Sequence, residues 1–317
     1  MQTRPSPPTG GTSRREQRQA QISQRAARRA QQDAAARQRK FVALAAGVIV
    51  LIVVALVAVR LVGSNGAGAG APNQPAPDSL VAQLSKIDPS MFDQVGKGSL
   101  QSMPIPVRAN VERGPSGLPL VTYVGAEYCP FCAGERWPLI VALSRFGTFS
   151  GLELSHSSTT DVYPNTQTFS FVHATYSSPN VEFSSVELQS NVRSGSGYAQ
   201  LQTPTPGQET LIRTYDAPPY VPAQSAGSIP FIDFGGQYML SGASYDVGVL
   251  RGMTQEQIGD QLSNPSSPQT QAILGSANAL TAAICSATGD TPAEVCGRPT
   301  VKTLEAQLAA APVPGKG

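Results

Sequence analysis

Cysteine, histidine and charge are all scarce in this 317-residue chain, and each scarcity excludes something. Four cysteines are too few for a disulfide-dense mini-protein, and two histidines leave little material for a multi-histidine metal site. Gly and Pro, 30 and 27 residues, fall short of the composition of collagen or low-complexity disorder. Charged residues make up only 14% against 40% hydrophobic, which is the balance of a globular body. No internal repeat, phosphate-binding glycine loop, Ser/His/Asp set or paired-carboxylate arrangement stands out.

The net charge of +2 hides two opposed pieces. Residues 1–40 carry ten Lys/Arg and two acids, whereas residues 41–317 carry thirteen Lys/Arg and nineteen acids. The larger piece therefore has no basic footprint for nucleic acid. Between them runs FVALAAGVIVLIVVALVAV, residues 41–59, with one Gly and no charge. At the helical rise this run spans roughly 28 Å, the thickness of a hydrocarbon core. Lys40 and Arg60 bracket it, so residues 41–60 read as a single transmembrane helix. The alternative is a secretory signal cut near Ala67-Gly68-Ala69, although its apolar core is long for that role. The Arg excess before the span predicts a cytoplasmic N-terminus and an extracytoplasmic body in the cell membrane. Residues 1–40 are then a basic cytoplasmic arm, read as a solvated or lipid-associated helix. Residues 61–79 form a Gly/Ala/Pro tether, residues 80–308 the folded domain, and residues 309–317 a flexible tail.

Within the body, Leu118–Val124 is a buried strand by its apolar, β-branched run, and Pro130–Phe146 a nearly all-apolar helix that belongs between layers. Leu152–His156, Phe169–Thr175 and Val181–Leu188 read as strands, and residues 190–227 as an irregular connection with one short helix. Ile229–Phe234 and Tyr238–Leu240, split by Gly235-Gly236, read as a hairpin. Asp246–Leu262 and Pro268–Ala287 read as helices. The order predicts an α/β body with a mixed sheet.

The sharpest local signal is Cys129-Pro130-Phe131-Cys132 at a strand-to-helix junction. Free N–H groups and the positive end of the helix dipole stabilise a thiolate there, and thiolate is the nucleophile of disulfide exchange. Pro130 suits the first turn, where its missing N–H is not needed. Cys129 is expected to be the exposed attacking sulfur and Cys132 the buried resolving one. A structural disulfide or half a zinc site are the other readings of the motif. Cys285 and Cys296 suit a structural bridge in an exported body, although four cysteines permit three pairings and a relay with the first pair stays open. Glu127, Glu135 and Asp233 flank the two elements of the site; they read as solvated side chains more readily than as proton acceptors for Cys132, Glu135 being the weakest of the three. Phe131 and Trp137 read as packing residues, Phe131 also as part of an apolar substrate rim. His156 and His173 read as ordinary strand residues.

LVTYVGAEYCPFC, followed by a long helix and then an Ile-Pro strand and hairpin, resembles the thioredoxin fold. Tyr128 stands where thioredoxins carry Trp, and Pro130-Phe131 is closer to glutaredoxins. The 101 positions from Cys129 to Pro230 imply a sizeable insertion. GAEYCPFCAGERWPLIVALSRFG, HSSTTDVYPNTQTFSF, IPFIDFGGQY, LSNPSSP and LTAAICSATGDTPAEVC together resemble a thioredoxin-like domain-of-unknown-function family, family 929, of membrane-anchored bacterial and archaeal proteins. The resemblance implies a thioredoxin-like mixed sheet with flanking helices and an insertion. It implies that Pro230 is a cis-proline and that the backbone of Ile229 binds the substrate chain. The expected activity is thiol–disulfide exchange, oxidase or isomerase being slightly favoured over reductase. Cofactor and metal are expected to be absent. The expected partners are protein or small-molecule thiols and disulfides, the bilayer and a membrane redox protein. The rival function is a non-catalytic anchored binding module in which the CPFC motif is a staple.

Overall fold

The run Leu120–Gly125 forms the middle of a sheet because a strand paired on both edges and covered on both faces must be apolar along its whole length, and it is buried from Val121 onward. A computed structural model describes residues 73–315. Its first strands are β1 (Gln74–Pro75), β2 (Ile105–Pro106), β3 (Leu120–Gly125), β4 (Thr148–Ser150) and β5 (Glu153–His156). Then come β6 (Gln167–Ser170), β7 (Thr175–Ser177), β8 (Glu182–Glu187), β9 (Gln189–Ser194) and β10 (Gly197–Gln200), and last β11 (Phe231–Phe234) and β12 (Tyr238–Ser241). The helices are α1 (Asp78–Ser85), α2 (Pro89–Val95), α3 (Pro130–Ser144), α4 (Pro206–Tyr215), α5 (Gln255–Gln261), α6 (Pro268–Thr288), α7 (Ala293–Cys296) and α8 (Pro299–Ala310).

The central sheet has five strands in the order β2-β12-β11-β3-β8. β3 and β8 are parallel, and the other neighbours are antiparallel. The expected α/β class, a mixed sheet with flanking helices, is therefore what is observed. Because side chains alternate along each strand, the two faces build separate cores. Val121, Tyr123, Ile232, Phe234 and Leu240 meet α3 and α6 on one face. Val124, Val186, Phe231 and Met239 meet Leu211 and Ile212 of α4 on the other. α6 is rich in small residues, which lets neighbours approach closely: a Cβ on Gly275 would lie 2.4 Å from the Lys97 carbonyl oxygen. Gly289 ends α6 in the left-handed conformation at φ 62°.

Several segments differ from the sequence reading. Phe169–Thr175 is not one strand, since β6 stops at Ser170 and β7 starts at Thr175. Asp246–Leu262 divides into a 3₁₀ turn at Val247–Leu250 and α5, which Thr254 and Gln257 start with a reciprocal capping box. Residues 190–227 hold most of the β9–β10 hairpin and α4, whose polar-rich letters conceal a buried stripe of Gln208 and Leu211. Among the described residues, strand pairing begins at Gln74, which faces Leu154 across the β1–β5 ladder. Among the described residues no helix is long and apolar enough to cross a membrane. The span expected at residues 41–59 lies outside the described residues, as do the basic arm and the tether up to residue 72.

Candidate functional site

β3 ends at Gly125, and four residues later Cys129 becomes the N-cap of α3. Its side chain does the work usually given to Ser or Asp: Sγ accepts the Cys132 backbone N–H at 3.2 Å. Pro130 occupies the first helical turn. The two sulfurs are free of any disulfide, and their environments drive them apart. The hydrogen bond from the Cys132 side chain holds the Cys129 thiol below its ordinary pKa, helped by the Cys132 and Phe131 backbone N–H groups and by Arg136, and opposed by burial. Burial pushes the Cys132 thiol far up, and its bond to Cys129 and the charge there add to the rise. The surroundings thus favour the thiolate at Cys129 over that at Cys132.

The second element lies across from the first. Ile229–Pro230 is a cis peptide bond, and Cys129 Sγ is 3.6 Å from the Ile229 carbonyl oxygen. A groove of about 570 Å³ opens beside this junction, lined among others by Phe131, Tyr163, Ile229, Ser241, Tyr245 and Asp246. Phe131 is 40% exposed at its edge, against an edge-on Tyr163 at 5.9 Å, so it is a rim residue rather than a core one. Tyr128 stacks on Tyr198 of the β9–β10 hairpin at 4.3 Å. Cys129 itself is only 5% exposed and Cys132 not at all, which corrects the expectation of a freely exposed attacking sulfur. The insertion between α3 and β8 supplies Tyr163 and helps close the surroundings: Ser158 donates its N–H to the Tyr128 carbonyl at 2.8 Å.

Sequence reasoning misses the floor of the site. Arg136, one turn past Cys132, is fully buried and grips Glu187 of β8 through Nε at 2.8 Å and Nη2 at 2.6 Å. Nη2 also donates to the Ala126 carbonyl, in the turn before Cys129, at 2.9 Å. An Arg four places after Cys132 inside an apolar helix is the one signal that pointed there. The three flanking acids are not solvated. Glu135 is fully buried, where Ser244 donates its N–H at 2.8 Å and its hydroxyl at 2.7 Å; burial raises it to about 8. Asp233 is fully buried on the far face of the sheet, accepts from the Gly236 N–H at 2.8 Å, and is raised by burial to about 7. Glu127 is buried too, with Asn73 donating to it at 2.5 Å.

Cys285 and Cys296 form the expected disulfide, with an S–S distance of 2.00 Å. His156 bonds to the Ser157 carbonyl at 2.8 Å and His173 to Glu153 at 3.0 Å; neither reaches the cysteines. Trp137 packs edge-on against Phe169 inside the core. No cluster of three or more residues able to hold a metal occurs among the described residues. A family model described as "Domain of unknown function (DUF929)" matches residues 108–286, more than half of the chain. No curated protein and no solved structure matches it.

Proposed function

The chain belongs to the family described as a domain of unknown function, DUF929, which carries no activity with it, and from its site we propose that it is a membrane-anchored, extracytoplasmic thiol–disulfide oxidoreductase. The observation that carries this reading is the asymmetry of the two free sulfurs: Cys129 is stabilised as thiolate by N–H groups of the first helical turn, and Cys132 is held protonated behind it. The sheet order β12-β11-β3-β8, with β3 and β8 parallel and helices on both faces, supports a thioredoxin-like assignment of the fold. The apolar run at residues 41–59 behind a basic arm supports the anchor and the placement of the body outside the cytoplasm.

In the reductive direction the Cys129 thiolate attacks a substrate disulfide, forms a mixed disulfide and releases one substrate thiolate. Cys132 then loses its proton and attacks Cys129 Sγ, releasing the second. In the oxidative direction the same steps run backwards. The groove beside Cys129 is of ligand-binding size and carries aromatic rims, a fit for an extended polypeptide bearing an apolar side chain near its cysteine. The Ile229 backbone is the substrate-binding edge in this reading.

Equilibration of the full-length chain across a series of glutathione buffers, with alkylation of free thiols and mass readout, tests the proposal. A Cys129–Cys132 potential between about −120 and −270 mV is expected of an exchange protein. A value below about −300 mV marks a structural staple and overturns the reading. Cys132→Ala is expected to accumulate mixed disulfides through Cys129, which Cys129→Ala abolishes.

A further inference from the structure

Burying an ion pair is costly, and a well-packed apolar pair would often be as stable or more so. Arg136, one helical turn after Cys132, and Glu187 nonetheless stand fully buried. The guanidinium is tied on one side only: Nε and Nη2 are bonded, whereas Nη1 has no protein partner. The guanidinium lies over the Tyr123 ring, 5.8 Å from its centre, and the Tyr123 hydroxyl is also buried without a partner. Burial drives the Tyr123 phenol far above its ordinary pKa and keeps it neutral. Arg136 follows Cys132 by one turn of the same helix, and its positive charge favours the thiolate form of both cysteines. Its hold on the Ala126 carbonyl also fixes the turn that presents Cys129, whose own N–H bonds to the same carbonyl at 3.2 Å.

We propose that Arg136 is a positioning residue that sets the direction of exchange: by holding a fixed positive charge one helical turn after Cys132 and gripping the Ala126 carbonyl that anchors the Cys129 N–H, it favours the reduced pair, and so makes the Cys129–Cys132 disulfide a donor of disulfides to polypeptide dithiols. This inference rests on the exchange reading above and adds its direction. A substrate thiolate attacks Cys129 Sγ and breaks the Cys129–Cys132 bond, and Cys132 leaves with the electron pair and takes up a proton. A second substrate thiolate then attacks the substrate sulfur of the mixed disulfide and displaces Cys129 as thiolate, the better leaving group of the two. Two electrons pass from the substrate to the pair. Of the two substrate thiol protons, one ends on Cys132 and the other goes to solvent. A disulfide-class oxidant, glutathione disulfide in the assay, restores the pair. The ionisable groups around the sulfurs are Tyr123 of β3, Tyr128 and Glu127 of the preceding turn, Arg136 of α3 and Glu187 of β8.

The test uses the full-length chain in detergent and two readouts: the glutathione equilibrium constant and the pH midpoint of Cys129 alkylation. Arg136→Met paired with Glu187→Leu removes both ions, leaving neither charge orphaned, and Arg136→Lys keeps the charge. In the wild type the alkylation midpoint is expected below that of an ordinary thiol, about 8.5. The paired variant is expected to raise the midpoint by a pH unit or more and to lower the equilibrium constant for reduction by glutathione at least tenfold, about 30 mV. Arg136→Lys is expected to restore most of both. A wild-type midpoint at or above the ordinary value overturns the inference without any variant, and so does a paired variant that folds with both readouts unchanged. A wild-type potential in the staple range overturns the exchange reading instead, so the two failures are separable.

Discussion

Glu135 has no cation to answer it, only the N–H and hydroxyl of Ser244. Burial outweighs those bonds and lifts its carboxyl from 4.5 to about 8. Below pH 4.5 both folded and unfolded chains hold the proton. Between 4.5 and about 8 only the folded chain keeps it, so stability falls as pH rises through that window and levels off above it. Asp233 acts in the same sense between 3.8 and about 7. Glu135→Gln can keep both Ser244 bonds without titrating. Its stability relative to wild type is expected to rise by a few kcal/mol between pH 5 and pH 9. Urea denaturation at the two pH values measures this, and a pH-independent difference would remove Glu135 as the source. The same residue shows why charged letters near the site misled the sequence reading. A carboxylate or guanidinium in a string looks alike whether it faces water or a partner. Arg136 finds Glu187 at a separation of 51 positions, which no local pattern encodes.

Helix α3 was largely legible, because an apolar run starting at Cys-Pro beside a strand leaves few alternatives, and the observed Pro130–Ser144 ends two residues before the expected Phe146. What the sequence could not show is how the helix tolerates Pro138. A proline there has no N–H for the carbonyl four residues back, which is Gly134. The Tyr245 hydroxyl takes that place, donating to the Gly134 oxygen at 2.9 Å in a fully buried setting. Together with the Glu135–Ser244 bonds this fastens the Gly242–Val247 wall of the groove to the helix carrying both cysteines. Tyr245→Phe should leave the Gly134 carbonyl unpaired and cost about 1–3 kcal/mol. Adding Pro138→Ala to Tyr245→Phe returns an N–H to the helix and is expected to recover part of that loss. Denaturation of the four proteins of this cycle gives the coupling, and strict additivity would mean that the hydroxyl does not serve the gap left by the proline.

At the scale of the whole chain, sequence order and spatial order part company. β3 and β8 lie side by side although α3 and the β4–β7 insertion separate them in sequence, and nothing in a linear pattern of apolar letters announces that pairing. Of the C-terminal helices α6 was expected from its apolar spacing, whereas α7 and α8 were not; the bridge between Cys285 and Cys296 ties the end of α6 to α7 and leads the chain into α8, which packs back on α6. Both sulfurs of this bridge are fully buried, unlike Cys129 with its adjoining groove. The bridge closes a loop spanning a sequence separation of 11, worth roughly 3 kcal/mol in the chain-entropy account. Cys285→Ala with Cys296→Ala is accordingly expected to lower unfolding free energy by about that amount, while the glutathione equilibrium constant of the Cys129–Cys132 pair stays at its wild-type value below the unfolding transition. A shift of that constant in a protein that still folds would instead show the second pair exchanging electrons with the first.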